Sequence, residues 1–335
     1  MSEPHHHSRR RHRRRIRWGR LLLPAALLIL LVIAGYRLLF RAPEQKQPET
    51  PDPPQEESTL SPEEQAAAEA LRSHAERKPD FYTILLSGVD DHNGGSDTNI
   101  LVAVDAAGDS IYGVSIPRDT KAIIDGKAHK INYAYNSGGT RLLAQTISRQ
   151  LGIPVDYTVQ VDLQGFAALV DAIGGVPFDV PINMNYDDPY QDLHIHLDKG
   201  LQTLNGSNAL KVVRFRHNND GTGYGSEDIG RMQTQQAFLK AVAKKVLTAE
   251  NLGKVDDFVK IFNTYVETDL TLGNLAWLGK EAITMGADSI EFSTLPNSWK
   301  SPYIYLDAEA TLALVNEHLN PYVEDRVPED LNIPS

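Results

Sequence analysis

Three stretches early in the chain are strand-like, rich in branched and apolar residues and separated by Gly, Asp and Asn: Phe81–Ser87, Asn99–Asp105 and Ser110–Ile116. From Thr140 onward the apolar positions take up helical spacing. The helices predicted are Thr140–Leu151, Leu163–Ile173, Gly206–Val213, Asp228–Leu247, Val255–Tyr265, Leu272–Met285 and Ala308–Leu319. Further strands fit Tyr157–Val161, Pro177–Val180, His194–Leu197 and Ile290–Leu295. Strands alternating with helices imply an α/β fold in which a central sheet is covered by helices on both faces, an α/β/α sandwich. The short turns between the early strands make that sheet mixed.

A different pattern precedes these elements. Leu21–Phe40 is a nearly unbroken apolar run of 20 residues, long enough at about 1.5 Å per residue to cross a bilayer. Only Tyr36 and Arg37 interrupt it near its far end, and Arg37 can snorkel to the interface. Residues 1–20 hold eight arginines and one acid, Glu3. That basic head predicts a cytoplasmic amino terminus and an extracytoplasmic body on a single-pass transmembrane helix. A cleaved signal peptide is the rival, disfavoured by the long apolar run and the lack of a small-x-small site after it. From Arg41 to Thr59 the chain is proline, glutamate and glutamine, which predicts a solvated tether. Ser61-Pro62-Glu63-Glu64 offers a capping box for a helical spacer running to Arg77. The domains expected are therefore a head at 1–20, an anchor at 21–40, a tether and spacer at 41–80, a folded body at 81–322 and a polar tail at 323–335.

Composition narrows the chemistry. The 335 residues include no cysteine, which removes disulfides, thiolate metal sites and cysteine nucleophiles. The formal net charge is -11 despite the basic head, so the body is strongly acidic, and nucleic acid is not the partner it implies. Against that acidity a few arginines stand out. Arg118, in Ile116-Pro117-Arg118-Asp119, follows a predicted strand, where ligands of α/β sheets collect. Arg214 and Arg216 flank Phe215, and in an extended stretch both would leave one face as a paired clamp. Arg231 falls in the first turn of a predicted helix, with Gln235 one turn later on the same side. Guanidinium forks match phosphate oxygens. Asp90 closes the first strand and Asp97 opens the second, across a turn rich in glycine. Two carboxylates at adjoining strand ends suit Mg2+, although turns are rich in Asp for reasons of their own. His194-x-His196 sits in a predicted strand with no third ligand near it in sequence, and is set aside as a metal pair. Gly221–Gly225 lacks the lysine of a phosphate loop and reads as a mobile lid.

Taken in order, LLSGVDD, SDTNILVAVD, VSIPRDT, HKINYAY, GFAALVDAIGGVPFDVP, LNGSNALKVVRFRH and IGRMQTQQ resemble the LytR-CpsA-Psr family of cell-wall glycopolymer transferases. The resemblance runs from about Phe81 to Leu247. It implies a phosphotransferase that attaches undecaprenyl-pyrophosphate-linked polymers, such as teichoic acid or capsular polysaccharide, to peptidoglycan. Asp90 and Asp97 would correspond to the metal-binding acids, and Arg118, Arg214, Arg216, Arg231 and Gln235 to the pyrophosphate-binding set. Lys130 matches a characteristic family lysine and joins that set. Arg118 and Asp97 are expected to act in catalysis, Asp97 as base toward the 6-hydroxyl of N-acetylmuramic acid. The carrier's polyprenyl tail needs an apolar groove, for which the faces of Leu163–Ile173 and Gln236–Leu247 are candidates, as they are for ordinary core. Two departures thin the positive charge: Gly95 and Thr234 stand where family members often carry arginine. A lipid-pyrophosphate hydrolase and a non-catalytic wall-binding or transcription-attenuating protein are the alternatives.

Overall fold

A computed structural model describes residues 40–46, 76–89, 95–190, 193–224, 227–252 and 254–335. The expected basic head, most of the apolar run at 21–40 and most of the tether and spacer lie outside these residues. Among the described residues no helix is long and apolar enough to cross a membrane.

The centre is a six-stranded mixed sheet. It contains β1 (Phe81–Val89), β2 (Ser96–Asp105), β3 (Ser110–Ser115), a strand at Tyr157–Asp162, a strand at Val266–Thr268 and a strand at Ile290–Thr294. Between β3 and the fourth of these, β4 (Lys121–Ile124) and β5 (Lys127–Lys130) form a hairpin that leads into α1 (Asn132–Leu151). The Tyr157–Asp162 strand is β6, followed by α2 (Leu163–Ala172), β7 (Val176–Val180), β8 (Met184–Asp188), β9 (Leu193–Leu197), β10 (Gly200–Leu204) and α3 (Gly206–Arg214). Then come α4 (Glu227–Val246), α5 (Val255–Tyr265), β11 (Val266–Thr268), α6 (Leu272–Met285) and β12 (Ile290–Thr294). A last hairpin, β13 (Asn297–Lys300) and β14 (Tyr303–Leu306), precedes α7 (Ala308–Leu314). The spatial order is β11-β6-β1-β2-β3-β12. β1 is parallel to β6, and β12 to β3, while β2 runs against both its neighbours. Strands β1, β3, β6 and β12 therefore all point the same way.

Alternation along the strands sends side chains to two cores. Phe81, Leu85, Leu101 and Val114 meet Leu143, Ile147 and Leu151 of α1 on one face. Ile84, Val104, Ile111 and Ile290 meet Leu275, Leu278 and Ala282 of α6 and Ala243 of α4 on the other. A third core, apart from the sheet, joins α2, α3 and α4 to β7–β10 through Val170, Phe178, Ile195, Phe215 and Phe238. Part of the apolar faces of α2 and α4, the candidates for a polyprenyl groove, is taken up by this core through Phe166, Leu169, Val170, Phe238 and Val242, while Ala243 and Leu247 pack on the α6 side.

Two expectations need correcting. Residues 41–46 are not a solvated tether. Pro43 is buried, Tyr157 Oη donates to Glu44 O at 2.7 Å, Asn274 donates to Arg41 O at 3.0 Å, and Gln45 donates to Lys78 O at 2.7 Å. Side-chain partners waiting on the folded body, invisible from local composition, capture this segment. Nor do residues 323–335 trail away. Ile333 joins the α1-side core, and Asn332 N donates to Gln150 O at 3.2 Å. Gly138 and Gly139 leave helical geometry and split α1 by a kink, so its second part begins at Thr140 as expected and an unexpected first part precedes it at 132–137.

Candidate functional site

The carboxyl ends of β1, β3, β6 and β12 form one pole of the sheet, where the crevice of an open α/β fold lies. Strand β2 starts at this pole. Gly88 faces Thr98 and Val89 faces Ser96, so Asp97 is the extra residue of a β-bulge. Asp90 and the side chain of Asp97 lie outside the described residues. The backbone at 89 is paired with that at 96, so the end of β1 and the start of β2 adjoin.

Arg118 stands three residues beyond the end of β3. Ile116 N donates to Asn99 O at 2.8 Å, tying this exit to β2. Asn99 is buried, accepts from Ser96 Oγ, and has its Nδ2 enclosed without a partner among the described residues. A buried donor of this kind, two residues from the Asp97 bulge, fits an anion's oxygen. Lys130 Nζ lies 2.9 Å from Asp119 Oδ1, and Arg118 Nε is 3.8 Å from the same oxygen. Two cations thus share one carboxylate, and Lys130 offsets the acid that would otherwise cancel Arg118. Asn132 N donates to Arg118 O at 3.2 Å, so the start of α1 holds the arginine's backbone.

Helix α4 closes the same corner. Gln236 Nε2 donates to Thr294 Oγ1 at 2.8 Å, and Thr294 pairs with Ser115 at the end of β3. This ties α4, one turn after Arg231, to the end of β3, three residues before Arg118. Because α4 begins at Glu227, Arg231 sits past the first four residues, and its own N–H is inside the helix ladder rather than free for an anion. Its contribution is the guanidinium. Gln235 Nε2 donates to Val213 O at 2.7 Å, which spends the side chain on clamping the last turn of α3 against α4. Arg214 is the final residue of that turn.

The expected extended clamp of Arg214 and Arg216 is therefore only half formed. Arg214 is helical; Phe215 turns out of the helix with φ -63 and ψ 133 and is fully buried; Arg216 emerges exposed on the far side. Tyr224 packs edge-on against Phe215, with ring centroids 5.7 Å apart. Burial raises its phenol pKa, partly offset by hydrogen bonding to Thr234 and by the charge of Arg231. Residues 217–224 form a turn, bonded from Asn218 N to Thr222 O at 2.7 Å.

Beside Lys130 a cleft of about 340 Å³ is lined by His129, Asn132, Tyr133, Asn136 and Tyr303. His129 and Tyr133 stack with centroids 4.0 Å apart. A Cβ on Gly95 would meet Asn136 Oδ1 at 3.5 Å, so the cleft borders the start of β2. Asn99, Asp119, Tyr224 and this cleft had no signal in the sequence, because enclosure of a polar group depends on chain segments far apart.

With this geometry established, the comparisons decide the family. The LytR_cpsA_psr family model matches residues 52–321. The chain belongs to that family. Among curated relatives it is 37% identical over 199 residues to the polyisoprenyl-teichoic acid–peptidoglycan teichoic acid transferase TagU of Bacillus cereus, covering 58% of this chain and 62% of that one. The match thus spans under two thirds of that relative's length. The crystal structure of B. subtilis TagV superposes with a TM-score of 0.60 at 28% identity, covering 73% of this chain and 98% of that one. A structure of TagT bound to LI-WTA superposes with a TM-score of 0.56 at 25% identity, covering 72% of this chain and 90% of that one.

Gly95 and Thr234, the two positions where the resemblance implied arginine, differ in their surroundings. Gly95 has φ +140, a conformation that an arginine adopts only under strain. Thr234 is 6% exposed and bonds back to Gly230 O at 2.8 Å, beneath Tyr224.

Proposed function

We propose that this chain is a membrane-anchored phosphotransferase that moves an anionic glycopolymer from a polyprenyl pyrophosphate carrier onto peptidoglycan. In this reading the apolar run at 21–40 is the anchor and the folded body is extracytoplasmic. The observation that carries the reading is the tie of α4, the helix of Arg231, to Thr294 beside the end of β3, which Arg118 follows, and to the turn that ends in Arg214. TagT, a fold relative, has been captured with LI-WTA, which supports a ligand of this class.

The reaction asks for in-line attack at phosphorus and for neutralisation of negative charge spread over a diphosphate. A hydroxyl of the glycan acceptor attacks the phosphorus next to the polymer. Its O–P bond forms as the bond to the bridging oxygen breaks, polyprenyl phosphate leaves with that oxygen, and the hydroxyl proton passes to Asp97. Arg118 and Arg231 hold the phosphate oxygens as fixed forks, with Arg214 and exposed Arg216 at the margin. Lys130 keeps Asp119 from competing for Arg118. The cleft lined by Tyr133, His129 and Asn136 offers stacking and amide groups suited to the acceptor sugar. The hard oxygen donors of Asp90 and Asp97, on paired strand ends, fit Mg2+, which would add positive charge at the diphosphate.

The test uses the full-length chain in lipid nanodiscs with a synthetic polyprenyl-diphosphate glycan and a peptidoglycan oligomer. Conjugate and polyprenyl phosphate should appear in equal amounts, and Arg118→Ala should slow their formation by about 10²–10³-fold. Free polymer without conjugate would instead establish a hydrolase.

A further inference from the structure

The hairpin of β8 and β9 carries a constellation unrelated to the pole. In its register Asp187 faces His194 and Asn185 faces His196, so these four side chains share the outer face while Met184, Ile195 and Leu197 fill the third core. The third ligand missing near His194-x-His196 in sequence is supplied across the hairpin. His194 Nδ1 is 2.5 Å and His196 Nε2 is 3.2 Å from the same atom, Asp187 Oδ1. The ligand atoms of all three residues lie within 4.8 Å of one another.

A second observation concerns the other nitrogen of His196. Its Nδ1 lies 2.6 Å from Asn185 Oδ1, which fixes Nδ1 as the donor and turns the Nε2 lone pair toward Asp187. Metal-binding histidines are held in this way by an oxygen on the far ring nitrogen. The strand edge is itself braced: Asn185 N donates to Asn218 Oδ1 at 2.6 Å and Asp187 N to Asn219 Oδ1 at 2.7 Å. Ligands of a tetrahedral ion with bonds of about 2.0 Å are separated by about 3.3 Å, close to the His196–Asp187 spacing. The His194 ring must open by less than 1 Å to match, about what an exposed side chain gains from a small rotation. We propose that Asp187, His194 and His196 form a surface site for a transition-metal dication of the Zn2+ class, with a fourth position open to water.

Two imidazoles and one carboxylate suit Zn2+ and its neighbours and disfavour Mg2+, which separates this site from the acidic pair at the pole. The experiment is equilibrium dialysis of the chelator-stripped full-length chain in detergent against Zn2+, with Mg2+ in large excess. His5, His6 and His7 are a competing donor set, so an H5A/H6A/H7A chain serves as the background. That background should retain one Zn2+ per chain. It should lose it with His196→Ala or Asp187→Asn, and should bind it about 10–100-fold more weakly with Asn185→Ala. Circular dichroism of each metal-free variant should match the parent, since all three ligand residues are exposed. Co2+ in place of Zn2+ should give tetrahedral visible absorption. Zn2+ retained in His196→Ala, Zn2+ displaced by Mg2+, or Zn2+ absent from the background chain would each overturn the proposal.

Discussion

At the scale of single residues, the strongest constraint on the fold is Arg77. It forms a bidentate pair with Asp156, 2.8 Å at each oxygen, with side chains 6% and 0% exposed. Asp156 also accepts from Thr83 N at 2.9 Å and Lys46 N at 3.1 Å. Removing one member of such a pair leaves a buried charge uncompensated. Arg77→Ala should therefore lower unfolding free energy by about 3–5 kcal/mol, read as a shift in the urea midpoint at unchanged slope. The sequence placed Arg77 at the end of a helical spacer, since burial of a polar side chain has no local signature. The candidate arginines stood out in the sequence for the opposite reason: cations in an acidic body, each beside an expected strand end or helix end. Asp119 and Asn99, which complete their surroundings, carry no such contrast.

At the scale of elements, periodicity was informative wherever one face is buried. Strands β1, β2, β3, β6 and β12 and helices α2 to α6 fall where the apolar pattern puts them, within a few residues. Strands β7 and β9 also fall where expected, but their hairpin partners and the other hairpins were hidden. β13 is exposed throughout, and the outer face of β8 is Asn185 and Asp187, so neither presents an apolar run. The docking of α4 was also hidden, although a glycine marks it. A Cβ on Gly230 would sit 2.5 Å from Tyr224 Cβ and 3.0 Å from its Cγ, so the helix comes this close only because position 230 lacks a side chain. Gly230→Ala should push Tyr224 off Phe215, cost about 1–3 kcal/mol in stability and weaken binding of polyprenyl diphosphate. Denaturation and lipid-binding titration of the same variant would show both effects; tight binding at lowered stability would mean that Tyr224 does not position Arg231.

At the scale of the whole molecule, several tyrosines link the layers. Tyr82 is 2% exposed, stands edge-on to Trp277 at 5.5 Å and donates to Asp80. Burial first, and the Asp80 charge second, raise its pKa well above the ordinary value of 10.0; burial likewise raises those of Tyr157, Tyr224 and Tyr322. A raised folded-state pKa stabilises the fold fully below pH 10 and loses that contribution as pH climbs toward the folded value. Stability should accordingly fall steeply above pH 10, and Tyr82→Phe should make that fall shallower in pH-dependent thermal melts. The docking of residues 40–46 has a practical corollary for anyone shortening this chain. A version cut at Phe81 discards the Arg77 guanidinium that meets Asp156 and uncovers the Tyr157 hydroxyl. A soluble product is better begun ahead of Ala42 than at the first strand.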